Sequence, residues 1–348
     1  MIARTRRRVL RAAKMTVGRV ATNGLLWSII GALVLGSGLA LAAQWALGQR
    51  IETNDKVLAA PIDITKLALT VVAGVGGVVA LVVAYRRQRD LEHGRFVERF
   101  GAAAAQLGNT DVAIRIAGVY AMAGVADESR GLRRQQCIDV LCGYLRLPYD
   151  AEHGTSGRTK FVVKAPRVDH GRVSGETEEH VEYRQNDREV RQTIVRAIAD
   201  HLRPQAEHSW SNSNFDFRTA HLEDADFSHT TFSGSARFQG ATFSGNALFV
   251  DATFSGTTQF RDAMFSGTTT WFVSATFSGI TWFEDATFSG TVSFQGADFG
   301  TKVISFSEPK RWGPPTPKFD WDKNTTRKPA NVEPRNWPPT AASTAHAE

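Results

Sequence analysis

Residues 236–300 say nearly the same thing six times: ARFQGATFSG (236–245), ALFVDATFSG (247–256), TQFRDAMFSG (258–267), TWFVSATFSG (270–279), TWFEDATFSG (281–290) and VSFQGADFG (292–300). Across the wider stretch, from Asn214 to Phe306, phenylalanine recurs at Phe227, Phe232, Phe238, Phe243, Phe249, Phe254, Phe260, Phe265, Phe272, Phe277, Phe283, Phe288, Phe294 and Phe299, with spacings that alternate five and six and include a single seven. Two positions before each ring stands a small or β-branched residue: Ala225, Thr230, Ala236, Ala241, Ala247, Ala252, Thr258, Ala263, Thr270, Ala275, Thr281, Ala286, Val292, Ala297. The unit is eleven residues, made of two short sides.

This rhythm fits neither a helix, with apolar residues recurring every 3.6 positions, nor one long strand with period two. It suits a chain that turns sharply every five or six residues, with Ser-Gly at the corners because glycine adopts unusual φ and ψ at low cost. If four sides close one coil, each Phe points inward and stacks on the Phe one coil later. The small residue then fills the space beside it. A single coil cannot bury its rings, but a stack can. From Phe217 to Phe299 is 82 residues, a little under four coils of 22. So regular a supply of aromatics excludes a disordered linker.

ADFS, ATFSG and ADFG in tandem resemble the pentapeptide-repeat family, in its ATFSG-x-x-x-F subtype. The resemblance covers about a quarter of the chain and implies a right-handed quadrilateral β-helix. The extra residue in alternate units, and another near Thr268–Thr270, depart from the five-residue pattern and leave the coil shape open.

The start of the chain has a different character. Residues 1–23 carry Arg4, Arg6, Arg7, Arg8, Arg11, Lys14 and Arg19 with no acidic residue. Residues 24–47 and 67–85 are uncharged runs, each near the roughly 20 residues that span a bilayer core. The loop between them, 48–66, balances Arg50, Lys56 and Lys66 against Glu52, Asp55 and Asp63, and Arg86, Arg87 and Arg89 follow the second run. Positive charge on both outer flanks predicts a two-span hairpin in the inner membrane with both termini cytoplasmic. Arg6–Arg11 also loosely resembles a twin-arginine signal, with Ala40-Leu41-Ala42 as its cleavage site, but the first run exceeds a typical signal-peptide core. Small residues every fourth position at Ser28, Ala32, Gly36 and Ala40, and at Gly76, Ala80 and Ala84, suit close packing of two membrane helices.

Residues 86–150 predict a helical module. One helix stops at Gly108. A second, capped at Asn109–Asp111, gathers Val112, Ile116, Val119, Tyr120 and Ala123 on one face, and a third gathers Ile138, Leu141, Cys142 and Leu145. QLGNTDVAIRIAGVYAMAGVADES (106–129) with CIDVLCGYLRLPYD (137–150) resembles the juxtamembrane region of actinobacterial membrane pentapeptide-repeat proteins, which implies placement but no chemistry. Residues 151–187 read as a loose polar linker, and 188–208 as an amphipathic helix with Val190, Ile194, Ile198 and Leu202 in line. The β-helix occupies 209–306. Eight of the twelve prolines fall in the 307–348 tail, which reads as unable to form a regular core and is expected to be disordered or draped over the last coil. There Trp312, Trp321 and Trp337 are candidates for a lid.

The chain is thus expected to be an α+β membrane protein: a transmembrane hairpin, a small helical module and a β-helix. Its chemistry-bearing residues do not assemble into a known catalytic pattern. Cys137 and Cys142 are too few for a zinc site, the nine histidines are scattered, and neither a nucleophile elbow, a P-loop nor a dinucleotide fingerprint occurs. No cofactor, metal or catalytic residue is assigned. What varies along the column is the residue before every second Phe: Arg237, Gln259 and Trp282 in one outward row, Leu248, Trp271 and Ser293 in the opposite one. Leu248, Trp271 and Trp282 are the candidate partner surface, since aromatics concentrate at binding sites, with self-association as the competing explanation. The chain carries a net +6, yet residues 209–306 hold nine acidic against four basic side chains. The positive excess therefore belongs to the anchor, where anionic lipid explains it, and nucleic acid is disfavoured as a partner of the column. The expected function is a non-enzymatic, membrane-anchored scaffold for an unidentified protein. Its alternatives are a DNA-mimicking modulator of topoisomerase, as in some soluble members of the family, or an oligomeric structural element.

Overall fold

A computed structural model describes residues 61–151, 160–169, 172–182 and 186–342, with Gly38, Ala42 and Trp45 isolated before them. The chain divides into two compact units, Met1–Arg95 and Phe96–Glu348. In the first, helix α1, Pro61–Leu107, begins; it is 47 residues long and contains the second apolar run. Among the described residues no helix is long and apolar enough to cross a membrane. The predicted span 24–47 lies almost wholly outside the described residues, as do several side chains of 67–85.

The second unit opens with three helices. In α2, Val112–Glu128, the Asp111 carboxylate accepts from the Ala113 N–H at 2.7 Å, satisfying one of the donors that a helix start leaves open. Gly118 sits so close to the end of α1 that a Cβ there would lie 2.7 Å from the Leu107 nitrogen. Helix α3 is Leu132–Leu145 and α4 is Asp187–Leu202. Val119, Met122, Ile138, Leu141, Leu145, Val190, Ile194, Ile198 and Leu202 form their common core. Tyr120, expected on the buried stripe, is 55% exposed. The stripe runs through Arg115, Val119, Met122 and Ala126, one residue round the helix from it.

The linker expected at 151–187 is in large part ordered: strand β1, Lys160–Asp169, pairs antiparallel with β2, Arg172–Glu182. The register sets Lys160 opposite Glu182 and Lys164 opposite Glu178.

From Phe215 the chain coils. One wall stacks Phe215–Asp216, Ala236–Arg237, Thr258–Gln259, Thr281–Trp282 and Ile304–Ser305 in parallel register. The strands His221–Asp226 and Thr242–Leu248 bend across the next corner, so that two further walls share one sheet. Thr231–Phe232, Thr253–Phe254 and Thr276–Phe277 make the fourth wall. The result is a β-solenoid of about four turns. The additional residue is Thr268: Gly267 stands over Gly245 while Thr269 pairs with Asn246, so one exposed residue bulges and the register resumes.

All fourteen predicted rings lie in the interior. They stack in four columns, one ring per coil. Phe217, Phe238, Phe260, Phe283 and Phe306 follow at 4.8, 4.8, 4.8 and 4.7 Å between centroids. Phe227 starts a second column, 5.5 Å from Phe249, and Phe249, Phe272, Phe294 and Phe319 then follow at 4.8 Å each. Phe243, Phe265 and Phe288 make the third, at 5.0 and 5.3 Å. It has no ring in the first coil, where Leu222 takes the place below Phe243. Phe232, Phe254, Phe277 and Phe299 make the fourth, at 5.2, 5.3 and 5.8 Å. Neighbouring columns meet edge to face, as Phe238 and Phe249 do at 6.0 Å and 85°. Inside the stack a ring thus has parallel neighbours above and below and perpendicular ones beside it, both favoured aromatic arrangements.

The corners work differently from expectation. The Ser-Gly glycines 256, 267, 279 and 290 do not have positive φ; a Cβ at any of them would lie 2.0 Å or less from the carbonyl oxygen of the glycine one coil below. Glycine is required there for close backbone approach. Gly245 is the exception among the Ser-Gly glycines, at φ 70°, and elsewhere left-handed backbone falls at corners such as Asp251, Asp262, Ser274 and Asp285, with φ between 55° and 57°. In each the residue after it donates its N–H to the carbonyl of the Phe two before it, as Ala263 does to Phe260 at 3.1 Å. Positive φ at the third position of such a turn is one that Asp tolerates.

The proline-rich tail is ordered to residue 342 and continues the stack. Arg311–Trp312 pairs with Thr287–Phe288, and Val332–Glu333 with Ile304–Ser305. Phe319 stacks on Phe294, while Trp321 and Trp337 close on it at 4.9 Å each. Proline does not prevent this, because only two-residue segments need to join each ladder. Cutting the chain after Glu308 removes this cover, so the truncated protein is expected to melt at lower temperature than the full chain in a thermal scan. Phe260→Ala, which leaves a ring-sized cavity between two stacked rings, is expected to lower stability by about 3–5 kcal/mol in denaturant unfolding followed by far-UV dichroism.

Candidate functional site

The predicted core rings take no part in any surface site. Phe227, Phe243 and Phe265, like the rest of their columns, are closed off from solvent and meet only other interior side chains and the backbone around them. Their role is to space and hold the coils.

The rows of outward residues are set by the ladder register. Leu248 and Trp271 are direct Cα partners on one wall, and Asp226 and Ser293 continue their row. Trp271 is 44% exposed, and Val250 and Val273, which follow the neighbouring Phe residues, are half-buried beside them. Ser293 is buried because the tail residue Lys318 bridges to it. Trp282 is in a different sheet, in the row Arg237, Gln259, Trp282, Ser305. The fold therefore brings Leu248 and Trp271 together and keeps Trp282 apart from them. Trp282 is half-buried under Arg261, whose guanidinium carbon lies 5.1 Å from its ring centre while its tip pairs with Glu284 at 2.5 Å. Ile280 and Val303, exposed next to it, escaped the sequence reading because they occupy the corner before the row and not the row itself.

The acidic excess of the column is largely matched. Asp216 pairs with Arg146 and Arg218, Glu223 and Asp224 with Arg188, Asp251 with His229, Asp262 with Lys310, and Glu284 with Arg261. Hydrogen bonds from the Arg218 guanidinium hold the Asp216 carboxyl below its ordinary range. Three of these cations, Arg146, Arg188 and Lys310, come from outside the repeats. A string of free carboxylates, such as mimicry of a phosphate backbone would need, is not what the walls present.

Where the helices meet the first coil, the side chains are mostly polar. Gln135 acts as a stand-in strand: its amide donates to the Asn214 carbonyl at 2.7 Å and accepts the Asn214 N–H at 2.9 Å. Arg134 donates to the Ser209 carbonyl. The indole N–H of the fully buried Trp210 reaches Asp127 at 2.8 Å, and His201 stacks on that indole at 4.0 Å. Deeper, Asp187 accepts from Arg115 at 2.7 Å and from Tyr144 at 2.6 Å, with Arg191 at 3.6 Å. Arg191 also donates to the Leu145 carbonyl and lies over the Tyr149 ring, and Tyr149 donates to Glu223 at 2.9 Å. Burial pulls the Arg191 guanidinium down from its ordinary value, against the pull of Asp187. The same burial, followed by the hydrogen bond to Glu223, raises the Tyr149 phenol. His221 is lowered by burial and then by Arg191. Sequence reasoning missed this cluster because Arg115 looks like any polar residue on an amphipathic helix until α4 is laid against it.

Neither cysteine is poised for chemistry. Burial raises the Cys137 thiol to about 11 and the Cys142 thiol to about 12, so both stay protonated and poor nucleophiles near neutrality. Among the described residues no group of His, Cys, Asp and Glu is placed to hold a metal ion. Replacing Asp187 by Ala would leave Arg115 and Arg191 buried without their carboxylate. The expected loss is about 3–5 kcal/mol, measured by denaturant unfolding.

The family description "Pentapeptide repeats (9 copies)" matches residues 217–264 and 272–308. The gap between the two stretches contains Thr268 and the register bulge it makes. No curated protein and no solved structure matches the chain. Eleven-residue periodicity, stacked Phe columns and four walls around them agree with that description, and the column formed by residues 217–308 belongs to the pentapeptide-repeat family.

Proposed function

We propose that the protein is a membrane-anchored, non-enzymatic scaffold that presents its β-solenoid in the cytoplasm to a partner protein. Pentapeptide-repeat proteins are generally structural or interaction proteins. The observation that carries the reading is the wall holding Leu248 and Trp271 beside Val250 and Val273. It sets one exposed indole among three half-buried apolar side chains on a column whose own core is complete, and exposed aromatics of that kind mark contact sites.

The anchor rests on the two uncharged runs and their basic flanks. It is supported by the exposure of Val78, Leu81 and Tyr85 on α1, at 63%, 72% and 66%, apolar side chains that lipid would cover. The positive excess at the start of the chain suits an anionic leaflet.

Crosslinking in intact membranes followed by co-purification tests the scaffold. Trp271→Asp is expected to lose a captured partner protein while melting at the same temperature as the parent, because the side chain lies outside the core. Capture unchanged by that substitution would remove this wall from the proposal. Recovery of only the protein itself would point to an oligomeric element instead.

A further inference from the structure

A cleft of about 370 Å³ lies where α3 faces the first two coils. Gln135, Asp139 and Arg146 of the helix stand opposite Asn214, Asp216 and Arg237 of the column. Its volume is within the usual range of ligand sites, roughly 300–1,000 Å³. Nearly every polar group in it is already committed. Gln135 holds the Asn214 backbone and donates to Asp139 at 2.8 Å. Arg146 pairs with Asp216 at 2.5 Å, and the Asn214 side-chain oxygen accepts from the Ser235 N–H at 2.9 Å. Two charges are left: Asp139 accepts from Gln135 and has no ion pair among the described residues, and Arg237 stands free. Arg237 is exposed, and among the described residues its guanidinium makes no hydrogen bond and no ion pair, in a column where Arg218 and Arg261 are both paired.

Arg237 is followed in its row by Gln259 and then Trp282, one coil apart each, so the Cα atoms of Arg237 and Trp282 stand roughly 10 Å apart at the inter-strand spacing. Beside the indole lie the exposed Ile280 and Val303, 39% and 43% accessible. A planar guanidinium with free donors matches a carboxylate in two-pronged geometry. The apolar strip beyond it suits a side chain further along the same ligand, and a small free acid would not reach it.

We propose that this cleft binds an acidic peptide segment of a partner protein, with a carboxylate on Arg237 and the following residues running along the wall towards Trp282. The proposal rests on the reading of the column as an interaction scaffold and assigns it a second, separate wall.

The probe is fluorescein-labelled hexaglutamate, titrated against the full-length chain at low salt with anisotropy as the readout. Binding is expected, about tenfold weaker for Arg237→Gln, intermediate for Arg237→Lys, which keeps the charge and loses the two-pronged fit, and diminished at high salt, since a partly exposed charge pair is screened. Hexalysine is expected not to bind. Thermal unfolding of both variants is expected to match the parent, because Arg237 makes no contact that folding needs. Equal affinity of parent and Arg237→Gln would overturn the proposal, as would absence of hexaglutamate binding. Citrate that displaces the probe at lower concentration than unlabelled hexaglutamate would overturn the peptide as occupant. Failure here with continued Trp271-dependent partner capture would leave the scaffold standing and discard only the cleft.

Discussion

The whole column depends on the coincidence of two lengths. Parallel β-ladders repeat at about 4.8 Å, and the stacked phenylalanine rings repeat at 4.7 to 4.8 Å along its best-ordered columns. A ring attached to each coil at the same register position therefore meets the next ring at stacking distance without backbone adjustment. This explains why alanine or threonine usually stands two positions earlier: within the stack the space beside the rings is small, and the larger Phe215, Val292 and Ile304 take that position only in the first and last coils. Ala236, Ala241, Ala252, Ala263 and Ala275 are all fully buried. It also explains the glycine ladder at the corners, where adjacent coils approach until a Cβ would strike the carbonyl beneath it.

Because ring spacing and ladder spacing agree, the solenoid could be read from its sequence. A repeat that places Phe every five or six residues leaves one economical way to hide the rings, and even the seven-residue interval near Thr268 is absorbed by a single bulge. What could not be read was anything that depends on residues far apart in sequence meeting at a point. The buried Arg115–Asp187 pair links residues 72 apart, and neither carries a local signal, since an arginine on a helix and an aspartate at a helix start are both ordinary. The β1–β2 hairpin was hidden differently: Phe161, Val162 and Val163 are a strand signal, but the polar stretches on either side of them outweigh it across 151–187. The tail misled through composition, because prolines are incompatible with long ladders but not with the two-residue rungs that this fold uses.

The candidate surface was legible in part. Register arithmetic put Leu248 and Trp271 on one wall and Trp282 on another, and the fold places them so. The arithmetic cannot say which outward side chains the rest of the chain will cover or pair. Ser293 lies under the tail, and the carboxylates that looked like a negative surface are matched by Arg146, Arg188 and Lys310 from outside the repeats. Charge counted over a segment overstates the field of that segment whenever its neighbours supply the counter-charges.

Both ends of the column are closed, and this restricts where it can act. At the start, Gln135 occupies the backbone groups of Asn214, and Arg134 and Arg191 donate to the Ser209 and His221 carbonyls. At the far end, Phe319, Trp321 and Trp337 cover the last rings, and Val332–Glu333 takes the ladder of Ile304–Ser305. An open solenoid end would be a sheet edge, ready to pair with another chain, and would make filament growth the natural use of such a stack. Capped at both ends by groups of this chain, the column has its side walls left for contact. On those walls the backbone is already paired from coil to coil, so what they offer the surroundings is side chains. Their rows are spaced by the ladder, which makes the separation between any two of them a fixed property of the fold.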